Sequence, residues 1–283
     1  MQVARTRIAM RNWLSARRGR LGLVPTMGSL HPGHIALLQA ARRECETVVA
    51  TLFVNPTQFG PREDYETYPR DERHDLTILD EECVDMVFVP TVREMYPQGI
   101  QTTITMGRMG HILEGERRPT HLDGVATVVA QLFEATSPHS AYFGQKDWQQ
   151  ARVVAQLIND QGFNIELRIV ETVREADGLA CSSRNASLGG TDRNAATCIW
   201  HGLKAVRDTW EHGQRSRRVL EATMAEPIEA QSRVELGYAA VRHALTLDRV
   251  DPVAEPAVFL IAAQVGGVWL IDNIVRGTDP SSP

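Results

Sequence analysis

Two histidines three positions apart stand where a helix-like segment begins, in the stretch PTMGSLHPGH at residues 25–34. His31 and His34 come shortly after LGLVP at 21–25, an apolar run with the character of a buried strand. Pro32 suits the first turn of a helix, and the unpaired N–H groups of such a turn attract anions. The two imidazoles could therefore donate N–H bonds to phosphate oxygens while negative charge develops on them.

The glycines of this stretch favour the same kind of ligand. Gly28 and Gly33 have no Cβ, so a flat base or a phosphate could approach the backbone closely. The pattern is neither a Walker loop nor a G-x-G-x-x-G fingerprint, and no third ligand stands nearby to complete a zinc site. The alternative is that the histidines only cap the helix or face solvent. Their spacing directly after a buried strand favours phosphate binding.

A second polar group follows a second strand-like run, VVATLFV at 48–54. Asn55 and Gln58 lie in the next stretch, NPTQF. Their amides can donate to a carboxylate and bond hydroxyl groups, as a small hydroxy acid requires. Taken alone, the same stretch also fits an ordinary Asn-Pro turn.

A third polar group, GQKDW, follows the strand-like SAYFG at 140–144. Gly144 permits close approach of a ligand, and Lys146 offers a mobile cation for phosphates. Lys146 is one of only two lysines, since the chain otherwise uses Arg for its basic residues. Asp147 could bond a ribose hydroxyl or cap the next helix. A fourth group, SSRN at 182–185, offers two hydroxyls and a guanidinium, although a polar loop at a helix start has the same composition.

The elements that position these groups indicate an α/β fold. Strand-like and helix-like segments alternate through residues 1–171, which predicts a Rossmann-like parallel sheet with helices on both faces. The carboxyl ends of the strands, where such sheets bind ligands, carry the first three polar groups. The predicted strands are 21–25, 48–54, 85–90, 140–144 and 164–171, and the predicted helices start near 32 and cover 71–83, 125–135 and 147–160.

Residues 172–283 have a different character and predict a smaller α+β domain. Helix-like segments cover 191–210 and 215–226, and a strand follows at 233–241. The last apolar runs flank Gly266-Gly267, which is typical of a tight antiparallel hairpin.

Composition narrows the class of protein. The 283 residues carry a net charge of −5, which gives no reason to expect a nucleic-acid partner. No run approaches the ~20 apolar residues of a membrane span. The four cysteines are far apart and form no CxxC pair, and the N-terminus lacks the apolar core of a secretory signal. A cytoplasmic protein with reduced thiols is expected.

Five motifs in order resemble the pantothenate synthetase (pantoate–β-alanine ligase) family, within the HIGH-type nucleotidylyltransferase superfamily. They are PTMGSLHPGH, FVNPTQFGPREDYETYPR, LEGERRPTHLDGV, YFGQKDWQQ and TVREADGLACSSRN, and LIDN at 270–273 is a weaker similarity. The resemblance implies that pantoate attacks the α-phosphorus of ATP and releases diphosphate. The amine of β-alanine then attacks the pantoyl adenylate and expels AMP.

The resemblance also implies a set of site residues. His34, His31 and Lys146 are the expected catalytic groups. The ATP site is expected to comprise Met27, Gly28, Ser29, Leu30, His31, Pro32, Gly33, His34, Gly144, Gln145, Lys146, Asp147, Val173, Cys181, Ser182, Ser183 and Arg184. Pantoate and β-alanine are expected to contact Asn55, Gln58, Tyr68, His121 and Gln150.

Further expectations concern partners. Mg²⁺ is expected from the ATP chemistry, with Asp75 as the candidate protein ligand, although the family's acidic cluster is diluted here to DERHD. A homodimer is implied by the resemblance alone. Gln145, Trp148, Cys181 and Leu122 stand where the family usually has Glu, Tyr or Phe, Met, and Phe. These departures keep two alternatives open: a nucleotidylyltransferase acting on another small acceptor, and a non-catalytic nucleotide-binding relative.

Overall fold

The computed structural model describes residues 1–60 and 65–278. Residues 61–64, which belong to the second family motif, lie outside that part. The chain divides into two compact units, of which the first consists of Met1–Gly144 and Gln149–Val170. The second consists of Gln145–Trp148 and the described residues after Val170. The predicted division at 171/172 did not foresee that the short Gln145–Trp148 turn would group with the second unit.

An all-parallel sheet forms the centre of the first unit, as the alternation of segments predicted. The described part of the chain also contains a short edge strand, Gln2–Ala4, that the sequence analysis did not predict. The strands are β1 Gln2–Ala4, β2 Leu21–Thr26, β3 Thr47–Leu52, β4 Met86–Phe88, β5 Ser140–Gly144 and β6 Glu166–Val170, in the order β1-β4-β3-β2-β5-β6.

The strand order reverses between β2 and β5. The chain proceeds outward from β2 through β3 to β4 on one side, and from β5 to β6 on the other. Gly22 pairs with Ser140 and Leu23 pairs with Ala141, so the two strands at the reversal are direct neighbours. Right-handed connections then place the helices of the two halves on opposite faces. A crevice at the carboxyl ends of such neighbouring strands is the usual ligand site of these sheets.

Helices cover the sheet and bury it. Every residue of β3 is buried, which explains its continuous apolar character. Leu38 and Ala41 pack with Val24 in one core cluster, while a second cluster contains Leu122 and Val153. The helices are α1 Arg7–Ser15, α2 Pro32–Glu44, α3 Glu72–Glu81, α4 Val92–Met95, α5 Glu114–Arg117, α6 His121–Thr136 and α7 Trp148–Gln161.

The second unit is an antiparallel sheet covered by helices. Its strands are β7 Val234–His243, β8 Ala257–Val265 and β9 Val268–Arg276, in sequential order. Gly266 and Gly267 have φ of +54° and +82°, the two positive values that a type I′ hairpin turn requires. The predicted helix at 191–210 consists of two helices, with a turn at residues 196–197 between them. The helices are α8 Gly190–Ala195, α9 Cys198–Glu211 and α10 Arg217–Glu229.

Together the two units confirm the predicted fold class, an α/β parallel sheet followed by a smaller α+β unit. Within residues 1–60 and 65–278, none of the helices combines the length and apolarity needed to cross a membrane.

Candidate active site

The loop between β2 and α2 carries the histidine pair and wraps around a buried carboxylate. The backbone N–H groups of Ser29 and Leu30 donate to the two oxygens of Asp75, at 2.9 and 2.8 Å. Asp75 is only 2% exposed. Gly28 and Ser29 both have positive φ, +83° and +52°. A Cβ on Gly28 would lie 2.7 Å from the Asp75 carboxylate, so this position accepts only glycine without rearrangement.

This arrangement gives Asp75 a structural role in the histidine loop. Both of its oxygens accept backbone N–H groups, and it reaches the loop from α3. Among the residues that the structure describes, no group of three or more His, Cys, Asp or Glu side chains could hold a metal ion. Asp75 as a ligand of Mg²⁺ stays a prediction.

The histidines cap α2 in a way that assigns their protons. His31 Nδ1 accepts the backbone N–H of Gly33 at 3.1 Å, and His34 Nδ1 accepts that of His31 at 3.3 Å. A ring nitrogen that accepts an N–H carries no proton, so both neutral rings hold their proton on Nε2. The ring centroids are 4.1 Å apart. Capping, the structural alternative weighed for this pair, thus uses Nδ1 of each ring.

Asn55 is buried in a polar cluster after β3. It is 1% exposed, and its Oδ1 accepts the hydroxyl of Tyr96 at 2.8 Å. Its Nδ2 donates to Thr57 Oγ1, to Gln58 Oε1 and to the carbonyl of Gly124. These contacts orient Gln58, and the expected contact of Asn55 with substrate stays a prediction. Burial raises the pKa of Tyr96, so its hydroxyl remains protonated and donates this bond.

Gln58, in the second family motif, contacts residues of the first and the third. Its Nε2 lies 2.9 Å from the sulfur of Met27, the residue that precedes Gly28 in the histidine loop. The backbone carbonyl oxygen of Gln58 accepts an N–H from Arg118 Nη2 at 3.2 Å and lies 2.9 Å from His121 Nδ1. The sequence analysis expected Met27, Gln58 and His121 in one site, and the structure brings these three together. Arg118, which accompanies His121 in the third family motif, also contacts Gln58.

The start of α6 fits closely against the NPTQF turn. A Cβ on Gly124 would lie 2.3 Å from the carbonyl oxygen of Thr57, so glycine is required for this contact. Tyr68, an expected substrate residue, is 6% exposed, and its ring lies edge-on to that of Phe59 at 5.9 Å. Tyr68 is thus placed beside the residue that follows Gln58.

Among the glutamines of α7, the buried one holds a loop. Gln149 Nε2 donates to the carbonyls of Met109 and Ile112 at 2.9 and 2.8 Å. Its Oε1 accepts the backbone N–H of Glu114 at 3.1 Å. The expected substrate residue, Gln150, is half-buried on the same helix. Sequence reasoning missed Gln149 because nothing local distinguishes it from its neighbour.

In the second unit, the turn after β5 is held by the last strand of the chain. Asn273 Nδ2 donates to the carbonyls of Gln145 and Lys146, both at 2.8 Å. Lys146 Nζ lies 3.5 Å from Asp147 Oδ1, so Asp147 forms an ion pair with its neighbour. Trp148, a departure from the family pattern, is 2% exposed and donates its indole N–H to the Ala244 carbonyl at 2.8 Å.

The SSRN stretch follows a short antiparallel turn in the same unit. The Cys181 N–H donates to the Val173 carbonyl at 2.9 Å. Ser182 Oγ accepts the Arg184 N–H at 3.3 Å, at the start of a 3₁₀ turn covering Ser183–Ser187. Burial raises the pKa of the Cys181 thiol, which favours its protonated form at neutral pH.

Comparison with known proteins agrees with these features. The sequence model of the family described as pantoate-beta-alanine ligase matches residues 2–275. A pantothenate synthetase from Chloroflexus aggregans is 46% identical over 274 residues, covering 96% of this chain and 99% of the relative. The crystal structure of pantothenate synthetase from Thermus thermophilus is 43% identical, with a TM-score of 0.93, covering 97% of this chain and 99% of that one.

A further neighbour carries ligands. The pantoate-beta-alanine ligase from Francisella tularensis, in complex with beta-gamma ATP and beta-alanine, is 32% identical with a TM-score of 0.81, covering 99% of both chains. A parallel sheet with a histidine loop at its reversal point is the arrangement expected of a nucleotide-binding α/β enzyme. Within that class, the chain belongs to the pantoate–β-alanine ligase family, as its motifs predicted.

Proposed function

We propose that this enzyme condenses pantoate with β-alanine at the expense of ATP and releases AMP and diphosphate. A free carboxylate resists attack by an amine because oxide is a very poor leaving group. Attack of the pantoate carboxylate on the α-phosphorus expels diphosphate and forms pantoyl adenylate. Attack of the amine on the acyl carbon then expels AMP. The protein's task is to hold the reactants together and to stabilise charge on the phosphates.

The histidine loop is assigned to ATP. The Nε2–H groups of His31 and His34 donate to phosphate oxygens as negative charge develops on them. The N-terminus of α2 adds its own partial positive charge. The remaining loop residues, Met27 to Leu30 with Pro32 and Gly33, line the nucleotide. Asp75 keeps the loop in shape.

Residues of the second unit are assigned to ATP from the family resemblance. Lys146 and Arg184 serve as cations for the phosphates, and the hydroxyls of Ser182 and Ser183 add donors. Further ATP contacts are assigned to Gly144, Gln145, Asp147, Val173 and Cys181. Trp148 and Leu122 are buried with their contacts satisfied, so these two departures from the family pattern leave the assignment intact.

One observation carries the proposal: the 2.9 Å contact between Gln58 Nε2 and Met27 Sδ. It supports a single site in which an amide suited to a hydroxy acid lies beside the loop suited to phosphates. Gln58, Tyr68, His121 and Gln150 are assigned to pantoate and β-alanine. Asn55 is assigned the orientation of Gln58.

Three finer assignments accompany the reaction. Mg²⁺ is proposed to bind mainly through the phosphates of ATP, which suits an ion that keeps few protein ligands and a site where both Asp75 oxygens accept N–H groups. A homodimer and a cytoplasmic location are proposed from the family resemblance. Sedimentation of the purified protein tests the first, and fractionation of cells tests the second.

Product analysis tests the reaction. With ATP and Mg²⁺, AMP should accumulate only when pantoate and β-alanine are both present, in equal amounts with pantothenate. AMP release that ignores β-alanine would indicate a nucleotidylyltransferase with another acceptor. Absence of turnover with every acid would indicate a non-catalytic relative.

Variants of His34 separate its catalytic and capping tasks. His34→Ala should lower kcat about 100- to 1,000-fold, as loss of one donor to a developing oxyanion does. His34→Asn keeps an acceptor near the Nδ1 position and should restore helix capping without restoring activity. The matched control is His201→Ala on α9, an exposed imidazole outside the assigned site. Equal activity of His34→Ala and the wild type would reject the assignment.

A further inference from the structure

The last strand of the chain carries two buried polar side chains next to each other. Asp272 and Asn273 are 2% and 1% exposed, within a β9 that otherwise supplies apolar residues such as Leu270 to the core. Successive residues of a strand point to opposite sides, so the two side chains reach different partners. Sheet packing alone does not require polar side chains at these two buried positions. We therefore ask which groups the two side chains bind.

Asn273 holds the turn that carries Lys146. Its Nδ2 donates to two consecutive carbonyls, those of Gln145 and Lys146, each at 2.8 Å. Its Oδ1 lies 3.4 Å from Gln145 Nε2. One side chain thus fixes both peptide planes next to the Lys146 Cα, and so fixes the direction in which the Lys146 side chain leaves the backbone.

Asp272 holds the segment that precedes SSRN. Its Oδ1 accepts Arg174 Nη2 at 3.0 Å, and its Oδ2 accepts Arg174 Nη1. The same oxygen Oδ1 accepts the Asn273 N–H at 2.7 Å, which ties the two side chains to each other. Burial raises the pKa of Asp272, and the Arg174 guanidinium and the Lys146 ammonium oppose that rise.

Arg174 connects Asp272 to the turn that precedes the SSRN stretch. Its guanidinium donates to the Gly178 carbonyl at 3.1 Å and lies 4.0 Å from the ring centroid of Trp200. Gly178, at φ +94°, leaves room for that ring, since a Cβ there would lie 1.9 Å from it. Backbone pairing between Arg174 and Ala180 then sets the start of the SSRN stretch.

We propose that Asn273 and Asp272 are positioning residues for ATP: Asn273 orients Lys146, and Asp272 orients the SSRN stretch through Arg174. This inference rests on the proposed roles of Lys146 and Arg184 as phosphate ligands. It assigns a purpose to the LIDN segment, which lies about 130 residues from Lys146 along the chain. The effect of the segment on activity is proposed to pass through Lys146 and Arg174, the residues that it holds.

A double-mutant cycle tests this coupling. The four proteins are the wild type, Asn273→Ala, Lys146→Ala and the double variant. The readout is pantoate-dependent exchange of labelled pyrophosphate into ATP with β-alanine omitted, which isolates the adenylation step. Gln264→Ala is the matched control, because Gln264 also donates an amide N–H to a backbone carbonyl in the same sheet, that of Gly267. Melting temperatures are recorded for every protein.

The expected result is strong non-additivity. Asn273→Ala should lower kcat/KM for ATP about 10- to 100-fold in the wild-type background, as misplacement of a group by ~1 Å does. In the Lys146→Ala background the same substitution should cost less than about threefold, because the positioned group is gone. Gln264→Ala should exchange at the wild-type rate.

Other outcomes overturn the inference or its premise separately. Equal losses in both backgrounds, accompanied by a lower melting temperature, would make Asn273 merely structural and reject the inference. If Lys146→Ala exchanges pyrophosphate into ATP at the wild-type rate, the proposed role of Lys146 is rejected. The Asn273 part of the inference is then rejected with it. If Asn273→Ala does not fold, Asn273→Ser keeps one donor, and the same non-additivity is required of it.

Discussion

The buried carboxylate of Asp75 offers the sharpest test of how the fold shapes the histidine loop. Asp75→Asn keeps the volume of the side chain and removes its charge. One of the two oxygens that accept the N–H groups of Ser29 and Leu30 becomes an amide nitrogen, which also donates. Two donors then face each other at a position that is 2% exposed in the wild type.

The expected cost follows from these contacts. A hydrogen bond to a charged group contributes about 1.5–3 kcal/mol, and a neutral one about 0.5–1.5 kcal/mol. The variant loses one charged bond entirely and weakens the other. Relief from burying a charge offsets part of the loss. A net decrease of about 2–4 kcal/mol in the free energy of unfolding is expected, which lowers the melting temperature by roughly 5–15 °C in a unit of this size.

The assay pairs stability with catalysis. Thermal unfolding followed by circular dichroism measures the first, and steady-state formation of AMP measures the second at a temperature where the variant is folded. We expect kcat/KM for ATP to fall at least about tenfold, because His31 and His34 move with the loop. Asp80→Asn on the same helix is the control. Its exposed ion pair with the N-terminus should contribute less than about 1 kcal/mol.

If Asp75→Asn has the melting temperature and the activity of the wild type, Asp75 does not hold the histidine loop. Equal losses of stability in Asp80→Asn and Asp75→Asn would also contradict this role, since burial and the two N–H contacts would then have no effect. Lost activity with an unchanged melting temperature would instead return Asp75 to direct ligand contact, as a metal site requires.

Two further predictions concern packing and pH. Gly124→Ala places a Cβ 2.3 Å from the Thr57 carbonyl, so it should cost about 1–3 kcal/mol in calorimetry and raise KM for pantoate. The control Gly189→Ala should do neither, because Gly189 has φ −66° and ψ 158° and nothing lies within 4 Å of its Cβ position. Arg193 donates to Asp177 and thereby lowers its pKa below the ordinary 3.8. That stabilisation is complete above pH 3.8 and is lost as pH falls through the lower folded value. Acid titration should therefore show Asp177→Asn less stable than the wild type near neutral pH, with the difference vanishing in strong acid.

The fold was largely predictable because its signals are local. The β-branched, largely apolar run at Thr47–Leu52 predicts a strand covered on both faces, and Gly266-Gly267 predicts the turn of the C-terminal hairpin. The three-residue β1 carries too short a pattern to detect. The break between α8 and α9 was missed because helix-forming residues continue through it.

The site was predictable only where a motif carries the chemistry. The spacing of His31 and His34 identifies them in the sequence, whereas the Nδ1 bonds that fix their tautomers depend on the folded loop. Asn55 is a candidate ligand in the sequence, and only the folded structure shows its buried bond with Tyr96. The two bonds from Asn273 join residues far apart in the chain, and no local pattern encodes them.

Transfer of an isotope tests the proposed chemistry most directly. Pantoate labelled with oxygen-18 in its carboxylate is turned over with ATP and β-alanine, and the AMP is analysed by mass spectrometry. Attack of the carboxylate on the α-phosphorus predicts one labelled oxygen in each AMP, with the other retained in the new amide. Unlabelled AMP would contradict the account, because the carboxylate oxygen would then never have bonded to that phosphorus.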